Sequence, residues 1–158
     1  MKTRVTVIAI VTLLILSIFS SSFKVKIVGA TPGTIRVPTD YSTIQAAINA
    51  ANPGDTIYVR NGIYNEEVTL NKTVWLVGED ESLTIVNGSG VVFFVSQNNV
   101  NITGFTIIEP SGDTSSVAMY LHSVNNCNVK GNNITTRYGG IEIYNCSSNS
   151  LTENSLTS

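Results

Sequence analysis

Short apolar runs with a period of two, divided by Asn, Gly and Ser, fill the chain after Ala51, and no stretch there keeps a helical spacing of apolar residues. Met119 and Leu121, then Ile141 and Ile143, alternate with Tyr120, His122, Glu142 and Tyr144, as in strands with one face turned inward. The dividing residues tolerate left-handed backbone and predict turns. The runs also repeat. Ile102-Thr-Gly-Phe-Thr-Ile107, Val129-Lys-Gly-Asn-Asn-Ile134 and Leu151-Thr-Glu-Asn-Ser-Leu156 align with one another. Val92-Phe-Phe-Val95, Met119-Tyr-Leu-His122 and Ile141-Glu-Ile-Tyr144 recur in step, and both motifs show spacings of 27 and then 22 residues. The extra five residues fall in Glu109–Ser116, where a loop absorbs them. A unit of about 22 residues with two or three strands predicts one coil of a parallel β-helix, an all-β solenoid, and about four coils fit between Thr56 and Ser158. Stacking at this period puts Asn154 beside Asn132 at a bend after a strand. There the two amides form a structural ladder or else are simply solvated.

The helical pattern lies earlier. Ile44, Ala47, Ile48 and Ala51 share one helical face, Thr39-Asp40-Tyr41-Ser42 offers N-cap residues, and Asn52-Pro53-Gly54-Asp55 breaks the helix. A solenoid end exposes apolar interior and open strand edges, so residues 31–55 read as a cap laid over the repeats of 56–158. Residues 1–30 begin with Lys2 and Arg4, run almost wholly apolar from Val5 to Phe19, and reach Val28-Gly29-Ala30. This predicts a signal peptide or, uncleaved, a membrane anchor through residues 5–19, and a secreted or cell-surface protein.

Charge narrows the partners. Residues 31–158 carry five basic and eleven acidic side chains, a net charge of −6, with no basic patch, which argues against nucleic acid. Cys127 and Cys146 fall three residues out of phase at a 22-residue coil, about 10 Å along a strand, which predicts two free thiols. Sequons stand at Asn71, Asn87, Asn101, Asn133 and Asn145. They are candidate N-glycosylation sites, although the Asn, Ser and Thr content alone yields about four by chance.

The run Ile35–Val59, which includes Ile44-Gln-Ala-Ala-Ile48 and Asn52-Pro-Gly-Asp55, with Gly62-Ile-Tyr-Asn-Glu66 after it, resembles the opening of right-handed parallel β-helix proteins of the pectin-lyase-like superfamily. The later repeats look like those of NosD-like proteins. The resemblance covers about residues 35–158 and implies a fold, since that fold carries lyases, hydrolases, esterases, adhesins and spike proteins. The opening is shared with pectin methylesterases, and their Gly-x-Tyr-x-Glu motif, matched by Gly62, Tyr64 and Glu66, is structural. That family's chemistry implies two Asp, a Gln and an Arg in Gln-Asp-Thr-Leu and Asp-Phe-Ile-Phe-Gly style segments, and neither segment occurs here. Glycoside hydrolysis asks for two facing carboxylates. After Asp80 the acids are Glu81, Glu109, Asp113, Glu142 and Glu153, with no aligned pair. Glu79-Asp80-Glu81 reads as a solvated turn rather than a calcium cluster. NosD-like proteins are linked to copper, which takes grouped His, Met or Cys; the single His and the out-of-phase cysteines do not support it.

The strand alternation turns Phe93, Tyr120 and Glu142 outward in one column, and Val95, His122 and Tyr144 in the next. Exposed aromatics beside an acid and an imidazole suit a sugar-binding face, although aromatics also favour strands for their own packing. Three functions follow as expectations. The first is a non-catalytic exported β-helix that binds polysaccharide or cell-envelope glycan. The second is a carbohydrate-active lyase, hydrolase or esterase whose catalytic residues are absent from this chain. The third is a structural segment of a larger surface protein. The last coil ends at Leu156-Thr-Ser158 without a cap, so a truncated chain, with missing coils or a partner at this end, is expected.

Overall fold

The computed structural model describes residues 31–158, and the predicted signal or anchor segment, residues 1–30, lies outside the described residues. The described chain winds as a parallel β-solenoid of about six turns. The first turn holds strand β1 (Thr34–Val37) and helix α1 (Ile44–Ala50). Four turns of three strands follow. These are β2 (Thr56–Val59), β3 (Gly62–Asn65) and β4 (Val68–Leu70), then β5 (Trp75–Gly78), β6 (Thr84–Asn87) and β7 (Val91–Val95). Next come β8 (Asn101–Thr103), β9 (Thr106–Glu109) and β10 (Val117–His122), then β11 (Asn128–Lys130), β12 (Asn133–Thr136) and β13 (Gly139–Tyr144). The last turn carries β14 (Ser150–Thr152) and β15 (Ser155–Thr157). Sheet A runs β1-β2-β5-β8-β11-β14, sheet B β3-β6-β9-β12-β15 and sheet C β4-β7-β10-β13, all with parallel pairing.

The expected four coils are there between Thr56 and Ser158, but the whole solenoid has about six turns, because the predicted cap adds one at the start and β14 with β15 a partial one at the end. β1 pairs with β2 in register, Thr34 against Thr56, so residues 31–55 form a turn of the solenoid and not only a cover. β14 and β15 form a partial turn after the four full ones.

The interior is built from columns of like residues. Ile57, Leu76, Ile102, Val129 and Leu151 stack in sheet A, and Val86, Ile107, Ile134 and Leu156 in sheet B. Sheet C contributes Val68, Phe93, Met119 and Ile141 beside Leu70, Val95, Leu121 and Ile143. Most are fully buried, and the burial of each such side chain contributes about 1.5–3 kcal/mol. The sheet C and sheet B columns end on Ile143 of β13 and Leu156 of β15, which are exposed.

Polar groups at the bends are satisfied by side chains of the next turn. Asn132 is buried and donates from Nδ2 to the carbonyls of Ile102 (3.2 Å) and Lys130 (3.2 Å) and to Asn154 Oδ1 (3.0 Å). Its Oδ1 accepts the Phe105 N–H at 3.1 Å, and Asn154 donates to the Val129 carbonyl at 2.9 Å. The equivalent bends before Phe105, Asn132 and Asn154 use left-handed backbone at Gly104, Gly131 and Glu153. Gly104 also lies against Gly78, where an added Cβ would stand 1.9 Å from the Gly104 carbonyl oxygen.

Helix α1 is held by the turn beneath it. Thr43 is the N-cap, one residue beyond the predicted Thr39–Ser42 stretch, and its hydroxyl accepts the Ala46 N–H at 3.1 Å. Glu66 accepts the free N–H groups of Ile44 (2.9 Å) and Gln45 (3.0 Å). Gln45 extends the ladder of sheet C by bonding both backbone groups of Thr69 on edge strand β4. Lys72 caps the far end on the carbonyls of Asn49 and Ala51. Replacing Glu66 by Ala strands two helix donors, and we expect about 1–3 kcal/mol lost in urea unfolding; a loss below about 0.5 kcal/mol would show that water replaces the carboxylate.

Asp55 ties the first turn to the helix exit. Its carboxylate accepts the Gly33 N–H at 2.6 Å and the Asn52 N–H at 2.8 Å, and these bonds hold it below the usual carboxylate range despite burial. A depressed folded pKa stabilises above the unfolded value of about 3.9, and this contribution is lost as pH falls through the folded value. Wild type should therefore lose melting temperature below about pH 4 faster than Asp55→Asn, so that the gap between them narrows. A gap constant from pH 7 to pH 2.5 would contradict this.

Candidate functional site: an aromatic strip on sheet C

The outer face of sheet C is set by its register. Phe93 pairs with Met119, Phe94 with Tyr120 and Val95 with Leu121; Tyr120 pairs with Glu142 and His122 with Tyr144. The outward column is therefore Phe94, Tyr120 and Glu142, with His122 and Tyr144 beside it. Phe93 is fully buried, so its predicted place on the face is corrected: it packs edge-on against Phe105, ring centroids 5.7 Å apart. Val95, expected outward beside His122, is likewise buried.

The cause is one residue. Five residues, Ser96–Val100, separate Val95 from Asn101, whereas six, His122–Cys127, separate their partners Leu121 and Asn128. The spacing in sheet C is thus 26, not 27, and a slip of one exchanges the faces of a strand. Val91-Val-Phe-Phe-Val95 is apolar throughout and offers no alternation to reveal the phase.

The outward rings form a continuous strip. Phe94 lies 5.8 Å from Tyr120, Tyr120 5.7 Å from His122, and His122 5.4 Å from Tyr144, the last pair stacked at 11°. Phe94 and Tyr120 are half-buried, whereas His122, Glu142 and Tyr144 are exposed. Three strands at about 4.8 Å give a strip about 10 Å across, the length of about two pyranose rings.

Other features are placed elsewhere. Cys127 and Cys146 are free; the Cys127 amide donates to Asn149 Oδ1 at 2.8 Å, while the Val124 amide faces Cys146 Sγ at 3.4 Å. Burial pushes the Cys127 thiol pKa up. Among the sequons, Asn71 and Asn145 are exposed at turns and Asn87, Asn101 and Asn133 are half-buried on strands. Glu79 accepts from the Tyr58 hydroxyl and the Asn61 N–H, and Asp80 from the Ser82 N–H. Among the described residues no three His, Cys, Asp or Glu stand together as a metal site. A shallow groove at the corner between sheets B and C is lined by Asn65, Glu67, Asn87 and Ser89 and has no aromatic platform.

The chain shares its fold with pectin methylesterases. One such enzyme, solved as a variant in complex with a hexasaccharide, matches with a TM-score of 0.56 at 19% identity, over 73% of this chain and 48% of its own. Pectin methylesterase PemA from Erwinia chrysanthemi matches with a TM-score of 0.50 at 16% identity, over 68% of this chain and 48% of its own. A further pectin methylesterase hexasaccharide complex gives 0.51 and 16%, over 73% and 54%. This chain spans about half the length of those structures. No protein-family model matches the chain, and no curated protein matches it.

Proposed function

We propose that the chain is an exported β-helix protein that binds glycan along the outer face of sheet C without turning it over. The reading rests on the strip of Phe94, Tyr120, His122 and Tyr144, whose outward rings, half-buried at Phe94 and Tyr120 and exposed at His122 and Tyr144, offer apolar platforms for pyranose faces, with the Tyr hydroxyls, the imidazole and Glu142 at hand for sugar hydroxyls. Rings fixed by a sheet lose little freedom on binding, which favours stacking over loop-borne contacts. The test is retention on insoluble polysaccharide by the double variant Tyr120→Ala/Tyr144→Ala. We expect at least about ten-fold weaker binding at about 1 kcal/mol per aromatic contact. Unchanged retention would end the reading.

A second reading, a carbohydrate-active enzyme of the pectin-lyase-like group, is favoured by the pectin methylesterase fold match. Release of methanol or of new sugar ends from a polysaccharide panel would point to it. The NosD-like likeness of the repeats rests on their sequence motifs alone and assigns no ligand.

A further inference from the structure

The charges around the strip bear on which glycan it takes. Glu142 stands in the same column as Tyr120 and is exposed next to Tyr144. The cationic side chains of the described residues all lie away from this face. Arg36 and Lys130 project from sheet A, Lys130 paired to Glu153 at 3.2 Å. Arg60 follows β2, and Lys72 is engaged on the carbonyls of Asn49 and Ala51. Arg137 lies in the bend before β13, with its side chain against Gly112 of the loop that follows β9.

We propose, resting on the glycan reading of sheet C, that the strip selects uncharged pyranose chains and rejects uronate polysaccharide, with Glu142 setting the preference. A uronate stacked on Tyr120 or Tyr144 brings its carboxylate near that of Glu142 and meets no guanidinium or ammonium in return. At about 5 Å in a water-like dielectric, one such pair of like charges weakens binding about four-fold. The penalty is screened by salt, because the site is open to solvent. An uncharged sugar suffers none of it, and its hydroxyls donate to the same carboxylate.

The experiment is calorimetric titration of the full chain with cellohexaose and with hexagalacturonate, at about 20 mM and 500 mM salt, for wild type, Glu142→Gln and Tyr144→Ala. We expect wild type to bind cellohexaose at least about four-fold more tightly than hexagalacturonate at low salt. That ratio should fall towards one in high salt and in Glu142→Gln. Equal or tighter binding of hexagalacturonate by wild type, lost in Tyr144→Ala, would overturn the charge preference and leave the glycan face standing. A ratio unmoved by Glu142→Gln would overturn the role of that residue. Binding of neither oligosaccharide would overturn the glycan reading together with the preference.

Discussion

Phe93→Ala is expected to cost about 3–5 kcal/mol of stability, whereas Phe94→Ala, at the neighbouring position, should cost about 1 kcal/mol or less. Phe93 is fully buried between Val68 and Met119 and meets Phe105 edge-on. Truncation removes that contact and leaves a ring-sized cavity inside a turn whose backbone is fixed by ladders on both sides, so the interior has little freedom to collapse. Phe94 is half-buried on the outer face, and water fills the place of its ring. Urea unfolding of the two variants measures the difference. The reverse order of costs would mean that the phase of β7 is wrong and that the aromatic strip loses its Phe94 end. Phe94→Ala should weaken glycan binding while the fold is kept.

The second large effect is at Asn132. Asn132→Ala removes the acceptor of the buried Phe105 N–H and a donor to the Ile102 carbonyl, and we expect a loss of roughly 2–4 kcal/mol. Asn154→Ala, one turn on, should cost less, about 1 kcal/mol, because Asn154 is half-buried and its neighbourhood is open to water. Thermal unfolding of the pair checks both. Equal small losses would show that water enters the bend and that the amides there are dispensable.

Much of this architecture is legible from spacing. Ile102, Val129 and Leu151, and equally Ile107, Ile134 and Leu156, are aligned by the repeat and stand in those registers in sheets A and B. The five additional residues do fall between Glu109 and Val117. The pairing of Cys127 with Asn149 and of Cys146 with Val124 also follows from a 22-residue turn. The same spacings contain a ladder that sequence reading passed over: Asn98 accepts the Asn125 N–H at 2.7 Å, and Asn125 accepts the Ser147 N–H at 2.8 Å. These residues are 27 and 22 apart, so the signal was present in the repeat.

Three things were not legible, for two different reasons. The phase of β7 depends on the length of the turn that follows it, and an all-apolar strand gives no independent check. The pairing of β1 with β2 is also hidden. Thr34-Ile-Arg-Val37 is short and its partner lies 22 residues on, across a helix, so only the three-dimensional stack shows that the segment is a strand of sheet A. The role of Glu66 is of the same kind: its motif is visible, but that its carboxylate caps α1 depends on a contact across turns.

The site itself is readable as a set of outward aromatics and not as a ligand. Trp75 offers a rival platform on sheet A, 54% exposed, so the location of bound sugar decides between the faces. The measurement is an NMR titration of the full chain with cellohexaose, following the aromatic protons and their Overhauser contacts to the sugar. We expect contacts from the Phe94, Tyr120 and Tyr144 rings to pyranose C–H groups. Contacts confined to Trp75, or no contacts at saturating sugar, would contradict it.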